Sequence, residues 1–124
     1  MTIRMLIADD ALDYLALLEV LLEPITEIEV VAKADNGAEA VRIAASQHID
    51  AALLDVDMPG LDGFEAAAAI RRVSPQTTVA LQTGRLEADV LARAAELGVA
   101  VRGKVDLVKD LDLLARPHSE RKAA

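Results

Sequence analysis

Short apolar runs alternate along the chain with stretches in which apolar side chains return every three or four positions. Ile3–Ala8, Ile28–Ala34, Ala51–Asp55, Thr78–Thr83 and Val99–Gly103 have strand length and composition. Between them the period lengthens to that of a helix. Leu12, Leu15, Leu18 and Leu22 share one face over Ala11–Glu23, and Pro24 stops that helix. Asn36 reads as an N-cap with Glu39 three residues on, and the helix it opens runs to about Gln47. Gly63–Val73 is a third helix, ended by Ser74-Pro75, and Glu87–Leu97 a fourth, closed by Gly98. A last helix spans Leu107–Ala115.

Strands alternating with helices predict an α/β fold with a parallel sheet covered on both faces. Right-handed crossovers narrow the topology. The flavodoxin-like doubly wound (βα)5 arrangement, strand order 2-1-3-4-5, sets the first and third strands side by side with a crevice at their C-terminal ends. One domain, residues 1–116, accounts for the pattern. From Arg116 the sequence turns polar, so 117–124 reads as a tail or the start of a linker.

Composition narrows the class. Hydrophobic residues make up 53% of 124, too many for a disordered chain and enough for one core. Tyr14 and Phe64 are the only aromatic residues, so that core is aliphatic and rich in alanine. With no cysteine there is no disulfide framework and no thiolate metal site, which fits a reducing, cytoplasmic location. No run approaches the ~20 apolar residues of a membrane span, and no signal peptide opens the chain. A net charge of −8 argues against direct nucleic-acid binding by this domain.

The acids are the candidate chemistry. Asp9-Asp10 ends the first apolar run and Asp55 the third, so the predicted topology gathers three carboxylates at one sheet edge. Like charges held together raise one another's pKa unless a cation joins them. Mg²⁺, or Mn²⁺, suits such oxygen donors. The bland reading is that Asp10 or Asp13 caps the first helix and Asp55 punctuates a turn. Two acid sites on neighbouring strand ends, with Pro59-Gly60 turning the chain so that Asp55 stays open, favour the metal.

These motifs resemble the receiver domain of two-component response regulators, over roughly residues 3–115. The resemblance rests on Ala8-Asp9-Asp10, on Leu53-Leu54-Asp55-Val56-Asp57-Met58-Pro59-Gly60-Leu61-Asp62-Gly63, and on Thr83-Gly84. It implies that Asp55 accepts a phosphoryl group from the phosphohistidine of a sensor histidine kinase or phosphotransfer protein. It implies that Asp10, Asp55 and the backbone carbonyl of Asp57 bind Mg²⁺ directly, with Asp9 acting through water. Thr83 would bond the phosphoryl group and shift on activation. The face of the fourth helix, fifth strand and fifth helix would meet an output partner or a C-terminal output domain. Homodimerisation is left open. The chain would catalyse its own phosphorylation and slow dephosphorylation rather than turn over a substrate. Asp55, ionised at neutral pH, needs no histidine as base, and His48 and His118 read as surface residues.

The chain departs from the family at its fifth strand. Lys104 best matches the phosphate-pairing lysine, with Lys109 as fallback. Val105 stands where a proline is common, and Val101 and Arg102 where an aromatic residue is common. Asp57 and Arg85 each stand two residues past a key position. Arg85 is expected to pair with Asp57 or with the phosphoryl group and to tune phosphate lifetime, the bland reading being an ordinary exposed pair. Two alternatives remain: an unphosphorylated receiver-like docking module, and an aspartate-nucleophile phosphohydrolase suggested by Asp55-Val56-Asp57.

Overall fold

A computed structural model of the chain describes residues 2–114. The tail at 117–124, His118 and the last residue of the expected final helix lie outside the described residues. Five strands and five helices alternate: β1 (Ile3–Ala8), α1 (Leu12–Leu22), β2 (Ile28–Ala34), α2 (Gly37–Ser46), β3 (Ala51–Asp55), α3 (Gly63–Val73), β4 (Thr78–Thr83), α4 (Ala88–Leu97), β5 (Ala100–Gly103) and α5 (Lys104–Leu114). All strand pairs are parallel and the order is β2-β1-β3-β4-β5, as expected.

Two apolar layers follow from side chains alternating across the strands. Leu6, Leu54 and Leu81 pack on one face with Phe64, Ala66, Ala67 and Ile70 of α3 and Val90 of α4. Ile7 and Leu53 face the other way, against Leu15, Leu18 and Leu22 of α1 and Leu111 of α5. Fully buried alanines, Ala40 on α2 and Ala66 and Ala67 on α3, supply the small residues that an aliphatic core of this kind was expected to use. Among the described residues no helix is long and apolar enough to cross a membrane.

The caps follow the local chemistry. The Asn36 side chain accepts from the Glu39 N–H, and Gly98 closes α4 at φ 68°. Asp62 and Glu65 form a reciprocal capping box on α3. The first helix differs from expectation: Ala11 is its N-cap, and neither Asp10 nor Asp13 caps it. Asp9 Oδ1 takes the Ala11 N–H instead, while Asp13 bonds the neighbouring Tyr14 N–H.

The fifth unit also differs. β5 starts at Ala100, and Val99 gives its N–H to Ala94 O. Helix α5 begins at Lys104, three residues before the expected Leu107. Its first turn, Lys104-Val105-Asp106, is largely polar and carries no apolar period, so the helical pattern becomes visible in the sequence only at Leu107.

Candidate active site

Register places the acids. β1 and β3 are hydrogen-bonded neighbours with Ala8 level with Leu54, so the residues that follow emerge together at the C-terminal edge. Oxygens of Asp9, Asp10 and Asp55 lie within 4.8 Å of one another. Beyond β3, Val56 and Met58 are buried and Asp57 between them is exposed, so two apolar anchors pin the loop and turn Asp57 outward. Val56 N–H donates to Gln82 O on β4, and Gly63 N–H to Val56 O, both at 2.9 Å. Gly63 has no room for a side chain: a Cβ there would stand 2.3 Å from the Asp55 carbonyl oxygen.

Asp9 is fully buried and Asp10 exposed. Asp55 is more enclosed than the Pro59-Gly60 turn suggested, at 4% exposure. Burial first, then the Asp9 charge, pushes its carboxyl up to about 6, with Asp10 adding to the rise. The Lys104 ammonium and the Asp57 N–H pull the other way. The carboxyl remains mostly ionised at neutral pH.

Lys104, not Lys109, reaches this cluster. Its Nζ stands 2.6 Å from Asp9 Oδ2 and 3.5 Å from Asp55 Oδ1. The early start of α5 puts it at the strand–helix junction, level with the sheet edge. Lys109 lies a turn further on and borders a surface hollow with Val105 and Val108. Thr83 is buried at the end of β4, its hydroxyl tied to its own loop: it donates to Arg85 O at 3.2 Å and accepts from Arg85 N–H at 3.1 Å. Arg85 grips Asp57 with Nε and Nη2 and reaches Glu87 with Nη1.

Of the remaining expectations, β5 carries no aromatic residue: Val101 is half-buried against the core, and Arg102 is exposed and paired with Asp110. His48 is exposed and paired with Asp50. Two residues near the site went unnoticed in the sequence. Tyr14 lies under the Lys104 ammonium, and Gln82 is fully buried beneath the site. Polar Gln82 interrupting the apolar run of β4 was the one available signal.

The donor set fits a hard divalent cation. It is all carboxylate oxygen, and Asp9 Oδ2 has no hydrogen-bond partner, meeting only the Lys104 ammonium.

Comparisons with known proteins agree with this geometry. The sequence model of the response regulator receiver domain matches residues 5–101. The "Probable transcriptional regulatory protein NarL" of Mycobacterium tuberculosis is 33% identical over 100 residues, covering 71% of this chain and 46% of that protein. A protein-glutamate methylesterase/protein-glutamine glutaminase of Paramagnetospirillum magneticum is 35% identical over 101 residues, covering 80% of this chain and 26% of that protein. The chain therefore spans about half the length of the first relative and a quarter of the second. The signal receiver domain of Mycobacterium tuberculosis NarL superposes with a TM-score of 0.79 at 29% identity, covering 90% of both chains. The response regulator domain of Thermotoga maritima CheB gives 0.78 at 23% identity, over 94% of this chain and all of that one. A match across most of the sequence, the 2-1-3-4-5 sheet and an acid cluster at its edge lead to one conclusion: the chain belongs to the response regulator receiver domain family.

Proposed function

We propose that the chain takes a phosphoryl group onto Asp55 from the phosphohistidine of a histidine kinase or phosphotransfer protein, and that this modification switches its contacts with an output partner. The observation that carries the proposal is the convergence of Asp9, Asp10 and Asp55 with Lys104 at one sheet edge. Receiver domains bind Mg²⁺ at such an acidic pocket. Here Asp10, Asp55 and the Asp57 carbonyl would hold the ion directly and Asp9 through water. When bound, the cation neutralises charge that would otherwise repel the incoming phosphate.

The residues of the chain divide the remaining work. Asp55, pinned by the Val56 and Gly63 hydrogen bonds, presents an ionised oxygen for in-line attack on phosphorus. The phosphorus–nitrogen bond to the donor imidazole breaks as the new phosphorus–oxygen bond forms, and the imidazole nitrogen departs with the electron pair. Lys104 sits where its ammonium can meet a developing phosphoryl oxygen. Thr83 is one strand away, and exchanging its two bonds to Arg85 for one to the phosphoryl group would draw the β4–α4 loop inward. That loop leads to α4, whose face with β5 and α5 is the proposed output surface. A cytoplasmic setting, a domain limit near residue 116 and an output domain or partner beyond it belong to the same proposal. Lys104 at the pocket favours it over an unphosphorylated docking module.

The test is phosphoryl incorporation from a small acyl phosphate donor with Mg²⁺. Label on the wild type but not on Asp55→Asn is the expected result. Equal labelling of both, or none on either, ends the proposal.

A further inference from the structure

Tyr14 is the sole tyrosine, and the phosphoryl chemistry described so far makes no use of it. It stands on α1 with its ring face under the Lys104 ammonium, 4.3 Å from Nζ to the centroid. Its hydroxyl donates to Gln82 Oε1 at 2.8 Å, linking positions 68 apart in sequence. Burial, then the Asp9 and Asp55 charges, push the phenol up to about 12, so it keeps the proton it donates.

Gln82 is fully buried on β4, level with Asp55 on the neighbouring strand and adjacent to Thr83. Its Nε2 has no partner. Turning the amide over would only exchange which of its atoms is left alone. A half-satisfied buried amide weakens a fold, and an aliphatic side chain would fill the place better. Packing therefore gives no reason for a glutamine here, and the bond to Tyr14 does.

Lys104 needs a counterweight. An ammonium beside Asp9 and Asp55 is drawn fully onto one acid unless something attracts it from another side. An aromatic face does this through its quadrupole and adds no negative charge to a crowded cluster.

We propose that Tyr14 is a positioning residue for Lys104, with Gln82 as its tether: the ring holds the ammonium between the acceptor and the solvent rim, and the hydroxyl fixes the ring to the strand that carries Thr83. The proposal rests on the acceptor reading of Asp55. It adds a chain of contacts, Asp55 to Lys104 to Tyr14 to Gln82, on the α1–α5 side of the sheet. Side chains alternate along β4, so this chain meets that strand from the face opposite Thr83. An aromatic residue thus reaches the site from α1 in a protein whose β5 offers Val101 and Arg102.

Three variants separate ring from tether. Tyr14→Leu removes the ring in favour of a good helix former, Tyr14→Phe keeps the ring and cuts the tether, and Gln82→Met cuts the tether from its other end. The first readout needs no phosphorylation. In the wild-type NMR spectrum the Lys104 ε-methylene protons are shifted upfield by the ring, and Tyr14→Leu abolishes the shift. The second readout is the rate of labelling by a small acyl phosphate. Tyr14→Leu is slower by about tenfold at saturating donor with the half-saturating concentration unchanged. Tyr14→Phe and Gln82→Met stay within about threefold of wild type. Unshifted Lys104 protons in the wild type overturn the proposal, as does Tyr14→Leu labelling at the wild-type rate or Tyr14→Phe falling as far as Tyr14→Leu. A wild type that takes no label refutes the acceptor reading, while the Lys104 signals still decide whether Tyr14 holds the lysine. Should Tyr14→Leu fail to fold, the wild-type signals decide alone.

Discussion

Arg85 holds Asp57 in a two-pronged ion pair, Nη2 to Oδ1 at 3.0 Å and Nε to Oδ2 at 3.2 Å. Both side chains are about half exposed, so the pair contributes little to stability. Its placement matters more, two residues past Asp55 on one loop and two past Thr83 on another. On the proposed phosphorylation of Asp55, this pair would flank the approach of an attacking water. Arg85→Ala is expected to shorten the phosphoaspartate lifetime roughly fivefold, with the unfolding midpoint nearly unchanged. Arg85→Lys should not restore it, because one point charge cannot span both oxygens. Decay of labelled protein after donor removal checks this; a lifetime equal to wild type ends the idea.

Asp55 couples the site to pH. Its carboxyl titrates at about 6 in the folded protein, above the ~3.9 of an unfolded chain. The folded state therefore binds this proton more tightly. The stability contribution is fully present below pH ~4 and is lost as pH rises through about 6. The loss is at most about 2–3 kcal/mol in metal-free protein. Asp55→Asn removes the effect and should be more stable than wild type at pH 7.5. Urea unfolding between pH 5 and 7.5 with a chelator present tests both statements; an asparagine variant no more stable than wild type contradicts them.

Lys104 and Lys109 separate cleanly. Lys104→Met removes the ammonium that stands between Asp9 and Asp55, and is expected to slow phosphoryl uptake by ~100-fold or more. Lys109→Met leaves the rate within about twofold of wild type. Comparable losses in the two variants would mean that the observed lysine geometry is not the one used.

Gly63 and Gly84 make opposite predictions for the fold. A methyl group at position 63 meets the Asp55 carbonyl oxygen at 2.3 Å and Val56 Cα at 2.8 Å, and both are backbone. Gly63→Ala should cost roughly 2–4 kcal/mol and disturb the acceptor loop. At position 84 an added Cβ meets nothing within 4 Å, so Gly84→Ala should leave stability within about 0.5 kcal/mol. Thermal unfolding of the two variants side by side is the measurement. A stable Gly63→Ala would show that α3 can move away from β3.

The strands were legible in the sequence because each is a short apolar run bounded by polar or turn residues, and four of the five have the expected limits. The acid cluster was legible too. Parallel connections of this length permit few topologies, and in the doubly wound one the ends of β1 and β3 must meet. Asn36, Gly98 and Pro24 marked helix ends through local bonding that involves only near neighbours. What sequence left undecided was how most other side chains far apart in the chain meet, beyond the acid cluster and the Asp57–Arg85 pair. Lys104 reaches Asp9 because α5 begins three residues earlier than its apolar period does. Tyr14 finds Gln82 because its side chain reaches from α1 to the C-terminal end of β4, 68 positions away in sequence. Asp55 is nearly buried at the end of β3, where the Lys104 ammonium comes within 3.5 Å of its Oδ1. Periodicity records which face of an element is apolar, a property of each segment alone. Where a charged or aromatic tip comes to rest depends on how several packed elements share the same few ångströms, and only the assembled fold decides that.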